Sequence, residues 1–100
     1  QTVYRKINGR RVQQLRRERS ARAITKAEEL YGEIPFIKRM QWVSDLEHKW
    51  AQRRLEFLDA YRKQYRSERL DVETRAEVLA EFWDIIDTEI YEGRNVPPWN

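Results

Sequence analysis

Residues 71–93 read DVETRAEVLAEFWDIIDTEIYEG, and this stretch decides the fold. Val72, Ala76, Leu79, Trp83, Ile86 and Ile90 recur at intervals of four, three, four, three and four. Positions three and four apart share one face of a helix, so this is the a/d seam of antiparallel helix packing. Val78, Phe82 and Ile85 add a second flank. Asp71 offers an N-cap oxygen, Glu73 complements the dipole of the first turn, and Gly93 supplies a stop. The outer face carries Glu73, Glu77, Glu81, Asp84, Asp87, Glu89 and Glu92. No His, Gly loop or Asn partner stands at ligand spacing beside them, so they read as a solvated acidic face.

Working back toward the N-terminus, no Gly or Pro falls between Pro35 and Gly93. Residues 35–66 therefore read as one helix, roughly 45–50 Å long at ~1.5 Å per residue. Phe36, Met40, Val43, Trp50, Phe57, Tyr61 and Tyr65 keep helical spacing, and Leu46, Ala51, Leu55 and Leu58 widen the stripe. An apolar arc this broad contacts two neighbours. Glu47 and Arg54 project into it; they read as snorkelling out at its edge, the alternative being pairing with another helix. Residues 67–70 form a short polar joint, which makes 32–93 an antiparallel helical hairpin.

Residues 10–31 read as a basic helix. Its stripe of Val12, Leu15, Ala23, Ala27 and Leu30 is thin, and Arg16 and Arg19 fall on or near it, so its first half buries little. Thr25 and Glu28 have capping-box spacing, which allows a break near residues 20–25. Gly32 ends the element. Residues 1–9 read as an extended arm. Residues 94–100 read as an extended tail, because Pro97-Pro98 cannot continue a helix, with Trp99 as an anchor beyond it. The fold class is all-α: a long central helix against a C-terminal helix, flanked by a basic N-terminal segment and an extended tail.

Charge is sorted along this framework. Residues 1–27 carry nine cations and one anion, whereas residues 67–100 carry three cations and nine anions. The net charge of +3 hides that segregation, which speaks about partners rather than fold. Arg10, Arg11, Arg16, Arg17, Arg19 and Arg22 lie within thirteen residues. Guanidinium groups hold phosphate bidentately, and Arg-rich helices are a recurring RNA-binding device. The alternative partner is an acidic protein surface, this chain's own residues 72–92 included.

Composition narrows the classes further. The 100 residues are 37% charged and only 40% hydrophobic, but four Trp, five Tyr and three Phe supply large apolar groups. That is a small core rather than a disordered chain. Trp42, Trp50, Trp83 and Trp99 are the candidate protein-interface residues, with Trp42 and Trp99 the best placed for contacts outside the domain. Cysteine is absent, which excludes disulfides and thiolate sites. His48 is the single histidine and has no spaced partner for a metal or a nucleophile. No catalytic residue, metal, cofactor or small-molecule substrate is expected, and no run approaches the ~20 apolar residues of a membrane span. The expected function is a non-catalytic structural subunit of a large assembly, a ribonucleoprotein such as an organellar ribosome. In it the Arg-rich segment meets RNA and the hairpin docks on other protein subunits. The alternative is a protein–protein adaptor, a virion component or an accessory subunit of a membrane complex, whose basic helix meets an acidic protein. Either places the chain inside a cell, an organelle matrix or a virion.

Overall fold

The computed structural model describes residues 2–66 and 69–98, with side chains described from Arg10 onward. It is all-helical. Helix α1 spans Thr2–Tyr31, α2 Phe36–Gln64 and α3 Val72–Tyr91, and no strand occurs among the described residues.

The N-terminal segment departs from expectation. The backbone is helical from Thr2 onward and passes through Gly9, where the sequence predicts an extended arm over residues 1–9. A single interior Gly costs about 1 kcal/mol, and the flanking Arg, Lys, Gln and Leu are good enough helix formers to carry the helix across it. Nor does α1 break near residues 20–25. The Ser20 hydroxyl lies 2.7 Å from the Arg16 carbonyl, one turn back, so it is satisfied inside the helix instead of starting a new one.

The remaining boundaries follow local chemistry. Gly32 takes φ +94°, and its N–H donates to the Glu28 carbonyl at 2.9 Å, closing α1 in a left-handed cap. Pro35 precedes the first turn of α2, and its carbonyl accepts from the Arg39 N–H at 2.9 Å. At the start of α3 the Asp71 carboxylate accepts from the Thr74 N–H at 2.7 Å, which holds Asp71 below the usual carboxylate range. At its end the Gly93 N–H donates to the Ile90 carbonyl (3.0 Å) and the Arg94 N–H to the Glu89 carbonyl (2.8 Å). This paired closure is the Schellman arrangement, with Gly93 at φ +74°. A Cβ on Gly93 would stand 2.7 Å from Leu30 Cδ1, so this turn also presses on the end of α1.

The core collects Ala23, Ile24 and Ala27 of α1, Leu46 and Trp50 of α2, and Phe82, Ile86 and Ile90 of α3. Two alanines on α1 let it sit close to its neighbours. Partners between α2 and α3 run in opposite senses along the two helices: Tyr61 with Glu81, Phe57 with Phe82, Arg53 with Glu89. The rings of Tyr65, Tyr61, Phe57, Phe82, Trp83 and Trp50 form one continuous chain of contacts, with centroids 4.9–6.5 Å apart.

The C-terminal segment is not an extended tail. Val96 belongs to the core and Pro97 is fully buried, and the Pro97–Pro98 bond is cis. Asn95 turns the chain at φ +58°, a conformation Asn tolerates, and its amide donates to Glu89 Oε1 at 3.0 Å. The packed form outcompetes the extended one because burying an aliphatic side chain such as Val96 is worth about 1.5–3 kcal/mol. The expected anchor Trp99 lies outside the described residues. The molecule measures 45 × 35 × 18 Å, and its thin dimension is under two helix diameters.

Candidate functional site

The six arginines of the basic segment divide into two groups. Arg10, Arg11, Arg16 and Arg17 are exposed, as is every residue from Arg10 to Glu18, including Val12 and Leu15. This half of α1 therefore stands clear of the core. The four guanidinium groups make no ion pair among the described residues.

Arg19 and Arg22 behave differently because the next turn of α1 reaches α3. Arg19 Nε donates to Asp87 Oδ1 at 3.0 Å, and its guanidinium lies 4.2 Å from the centre of the Trp83 ring. Its side chain keeps only 14% exposure. Arg22 donates to the same Asp87 oxygen at 3.2 Å. One carboxylate and one indole thus hold two of the six candidate residues. A cation over an aromatic face is worth roughly 0.5–2 kcal/mol, more where water is excluded, and a partly exposed ion pair adds up to about 1 kcal/mol.

Other polar contacts tie the same region. The Ser20 hydroxyl, itself buried, sits 3.1 Å from Glu47 Oε1 as well as near the Arg16 carbonyl; its single proton serves one acceptor at a time. Glu47 therefore faces α1 rather than snorkelling at the edge of the arc. Arg54 Nε is buried without a hydrogen-bond partner. Arg39 grips Glu28 through both carboxylate oxygens at 2.9 and 3.0 Å, fastening the α1–α2 turn.

Glu89 corrects the reading of a uniformly solvated acidic face. It is buried, and Arg53 donates to its two oxygens at 2.6 and 2.8 Å. The Arg53 hydrogen bonds hold the Glu89 carboxyl below its usual range, against the opposing effect of burial, and the Asn95 amide helps. The same bonds raise Arg53. Glu81 is also engaged: it accepts from the Tyr61 hydroxyl at 2.6 Å, which raises the phenol.

The candidate interface tryptophans are largely spent inside the fold. Trp50 is buried and meets Trp83 edge-on at 6.5 Å, while Trp83 is capped by Arg19. Trp42 is half-buried against the core. Other large apolar groups are exposed, among them Phe36, Ile37 and Met40 at the start of α2, Leu55 on its second half, and Val72 and Tyr91 at the two ends of α3. Helical spacing alone does not reveal these, because it shows a stripe but not which part of it a neighbour covers.

His48 is exposed. Among the described residues no group of three or more His, Cys, Asp or Glu is placed to hold a metal ion, and no helix is long and apolar enough to cross a membrane. No family model, curated protein or solved structure matches the chain.

Proposed function

We propose that this chain is a non-catalytic structural subunit of a large ribonucleoprotein. The first half of α1 grips RNA, and the antiparallel α2–α3 hairpin docks on protein. The observation that carries this reading is the exposure of Arg10, Arg11, Arg16 and Arg17 on a helical segment that makes no use of them in the fold. A basic rod held out from a small core neutralises a phosphate backbone without rearranging the domain.

The test is binding of the purified chain to a generic RNA and a generic DNA duplex across a salt series. The reading expects affinity that falls steeply with salt. Substituting Arg10, Arg11, Arg16 and Arg17 by Ala should flatten the log–log slope, by about 0.7–0.9 for each phosphate no longer neutralised. Unchanged binding by that variant sinks the RNA reading.

A second reading draws on the Asp87 contact. The structure already has this helix gripping a carboxylate through two arginines, as a protein–protein adaptor would use it. Salt-resistant affinity for one protein, with none for nucleic acid, favours that reading.

A further inference from the structure

Two contacts fix the register between α1 and α2. Arg39 holds Glu28, and Ser20 meets Glu47. Eight residues forward along α2 thus match eight residues back along α1, as in an antiparallel pair. Carried seven residues beyond Glu47, the register sets Arg54 of α2 opposite Gln13 of α1. Arg10, Arg16 and Arg17 stand three or four positions from Gln13 and so share its side of the helix. All four of these α1 residues are exposed, so the angle between the two helices is open at this level. Arg54 is the α2 residue that faces the opening. It is half-buried, and its Nε–H is buried with no acceptor. The fold gains nothing from that group, because a buried N–H without a partner carries the whole cost of its desolvation.

We infer that this angle seats a phosphate of the RNA backbone, with Arg54 holding it from α2 and the arginines beside Gln13 from α1. The inference rests on the RNA reading above and deepens it: the interface is a cleft between two helices rather than one basic rod. A phosphate oxygen supplies the acceptor that Arg54 Nε lacks, and a guanidinium gives a second N–H to the same group. These cations are uncommitted. Arg10, Arg16, Arg17 and Arg54 make no ion pair among the described residues, unlike Arg19 and Arg22 on Asp87 or Arg53 on Glu89. Competing anions are remote or occupied. Glu47 is the one carboxylate on Arg54's side of α2 within two turns; it lies roughly 10 Å away along the helix and is met by Ser20. Glu18 projects from another side of α1, where it accepts from Gln14. Residues 1–9, QTVYRKING, contain no Asp or Glu, so they offer Arg54 no countercharge. A nucleic-acid strand suits the site better than a single carboxylate, because it presents charge at every step to a row of guanidinium groups.

The experiment measures binding of a labelled single-stranded RNA of mixed sequence to the full chain, by fluorescence anisotropy across a salt series. Arg54→Met keeps the length of the side chain and removes its charge. It should bind about fivefold more weakly at ~0.1 M salt and flatten the log–log slope by about 0.7, the value of one phosphate on a single strand. Arg54→Lys keeps the cation and should keep the slope. A packing role would move stability instead, so urea denaturation is run on the same proteins. Arg54→Met should be at least as stable as wild type, because it removes an unpaired buried donor. An unchanged slope in Arg54→Met overturns the inference, whether the N–H is met by water or its loss lowers affinity only by loosening the fold. So does polyglutamate that displaces the RNA as well as unlabelled RNA does, since the site would then take an acidic protein. Arg10, Arg11, Arg16 and Arg17→Ala separates the two claims. A flattened slope there, beside an unchanged slope in Arg54→Met, leaves the RNA reading standing and removes only the cleft; no RNA binding by wild type sinks both.

Discussion

The two halves of α1 carry the same kind of residue to opposite ends. Arg10, Arg11, Arg16 and Arg17 are left in solvent, while Arg19 and Arg22, a turn further on, share Asp87, with Arg19 flattened over Trp83. Nothing in the arginines themselves distinguishes the groups. The difference is reach. Where α1 meets α3, a carboxylate and an indole face are at hand and the cation becomes part of the fold. Where α1 stands clear, the cation stays open to something else. A run of arginines is thus not one site, and substituting it as a block would mix a structural loss with a binding loss.

That contrast breaks most visibly through the core that holds the second half in place. Phe82 is fully buried and bridges Phe57 and Trp83. Phe82→Ala should cost about 3–5 kcal/mol, read by urea denaturation, and at this chain length much of the population would unfold. Glu89→Ala comes next. It leaves Arg53 and the Asn95 amide without their acceptor, and because Arg53 keeps 38% exposure the loss should be about 2–3 kcal/mol rather than the full cost of a buried ion pair.

The same pair sets a pH dependence with a definite sign. Glu89 is held below its usual carboxylate range in the folded chain, so its contribution is fully present above the unfolded pKa. It is lost as pH falls through that range toward the lower folded value. Thermal unfolding followed from neutral pH into the acid range should show wild type losing stability faster than Glu89→Gln, with the two curves parallel above the carboxylate range. Parallel curves throughout would mean that Glu89 carries none of the acid sensitivity.

Arg19→Ala should cost about 1–2 kcal/mol, a fall in Tm of roughly 4–8 °C per kcal/mol for a domain of this size. It should change the log–log salt slope of polyanion binding by no more than about 0.9, the value of a single phosphate. The smallest effect on stability belongs to Arg10, Arg11, Arg16 and Arg17→Ala, within about 0.5 kcal/mol of wild type. That variant should nonetheless show the largest loss of affinity for RNA. If it unfolds the chain while Arg19→Ala does not, the comparison between the halves is reversed.

Much of the framework is legible in the residues. The four-three alternation from Val72 to Ile90 marks a helix because side chains at those intervals share a face, and Asp71, Gly32 and Gly93 mark ends because capping is local chemistry. The thin stripe of residues 10–31 also announces a weakly buried first half. The two ends of the chain are where local signals mislead. Gly9 and Pro97-Pro98 both speak for extended backbone, but the helix formers on either side of Gly9 carry α1 across it, and at the other end Val96 comes within reach of the core and is buried there.

The sequence by itself determined that the chain is helical, where α2 and α3 begin and end to within two residues, and that charge is sorted from a basic to an acidic end. These depend on interactions between residues a few positions apart. Only the tertiary structure decided which arginines are spent on Asp87, that Glu89 is buried on Arg53 rather than solvated, that the Trp83 ring is covered by Arg19, and that Val72, Ala76 and Leu79 line an open groove. Each of those outcomes depends on the distance between side chains far apart in the chain, or on where a neighbouring helix stops covering its partners, and periodicity along one helix does not carry that information.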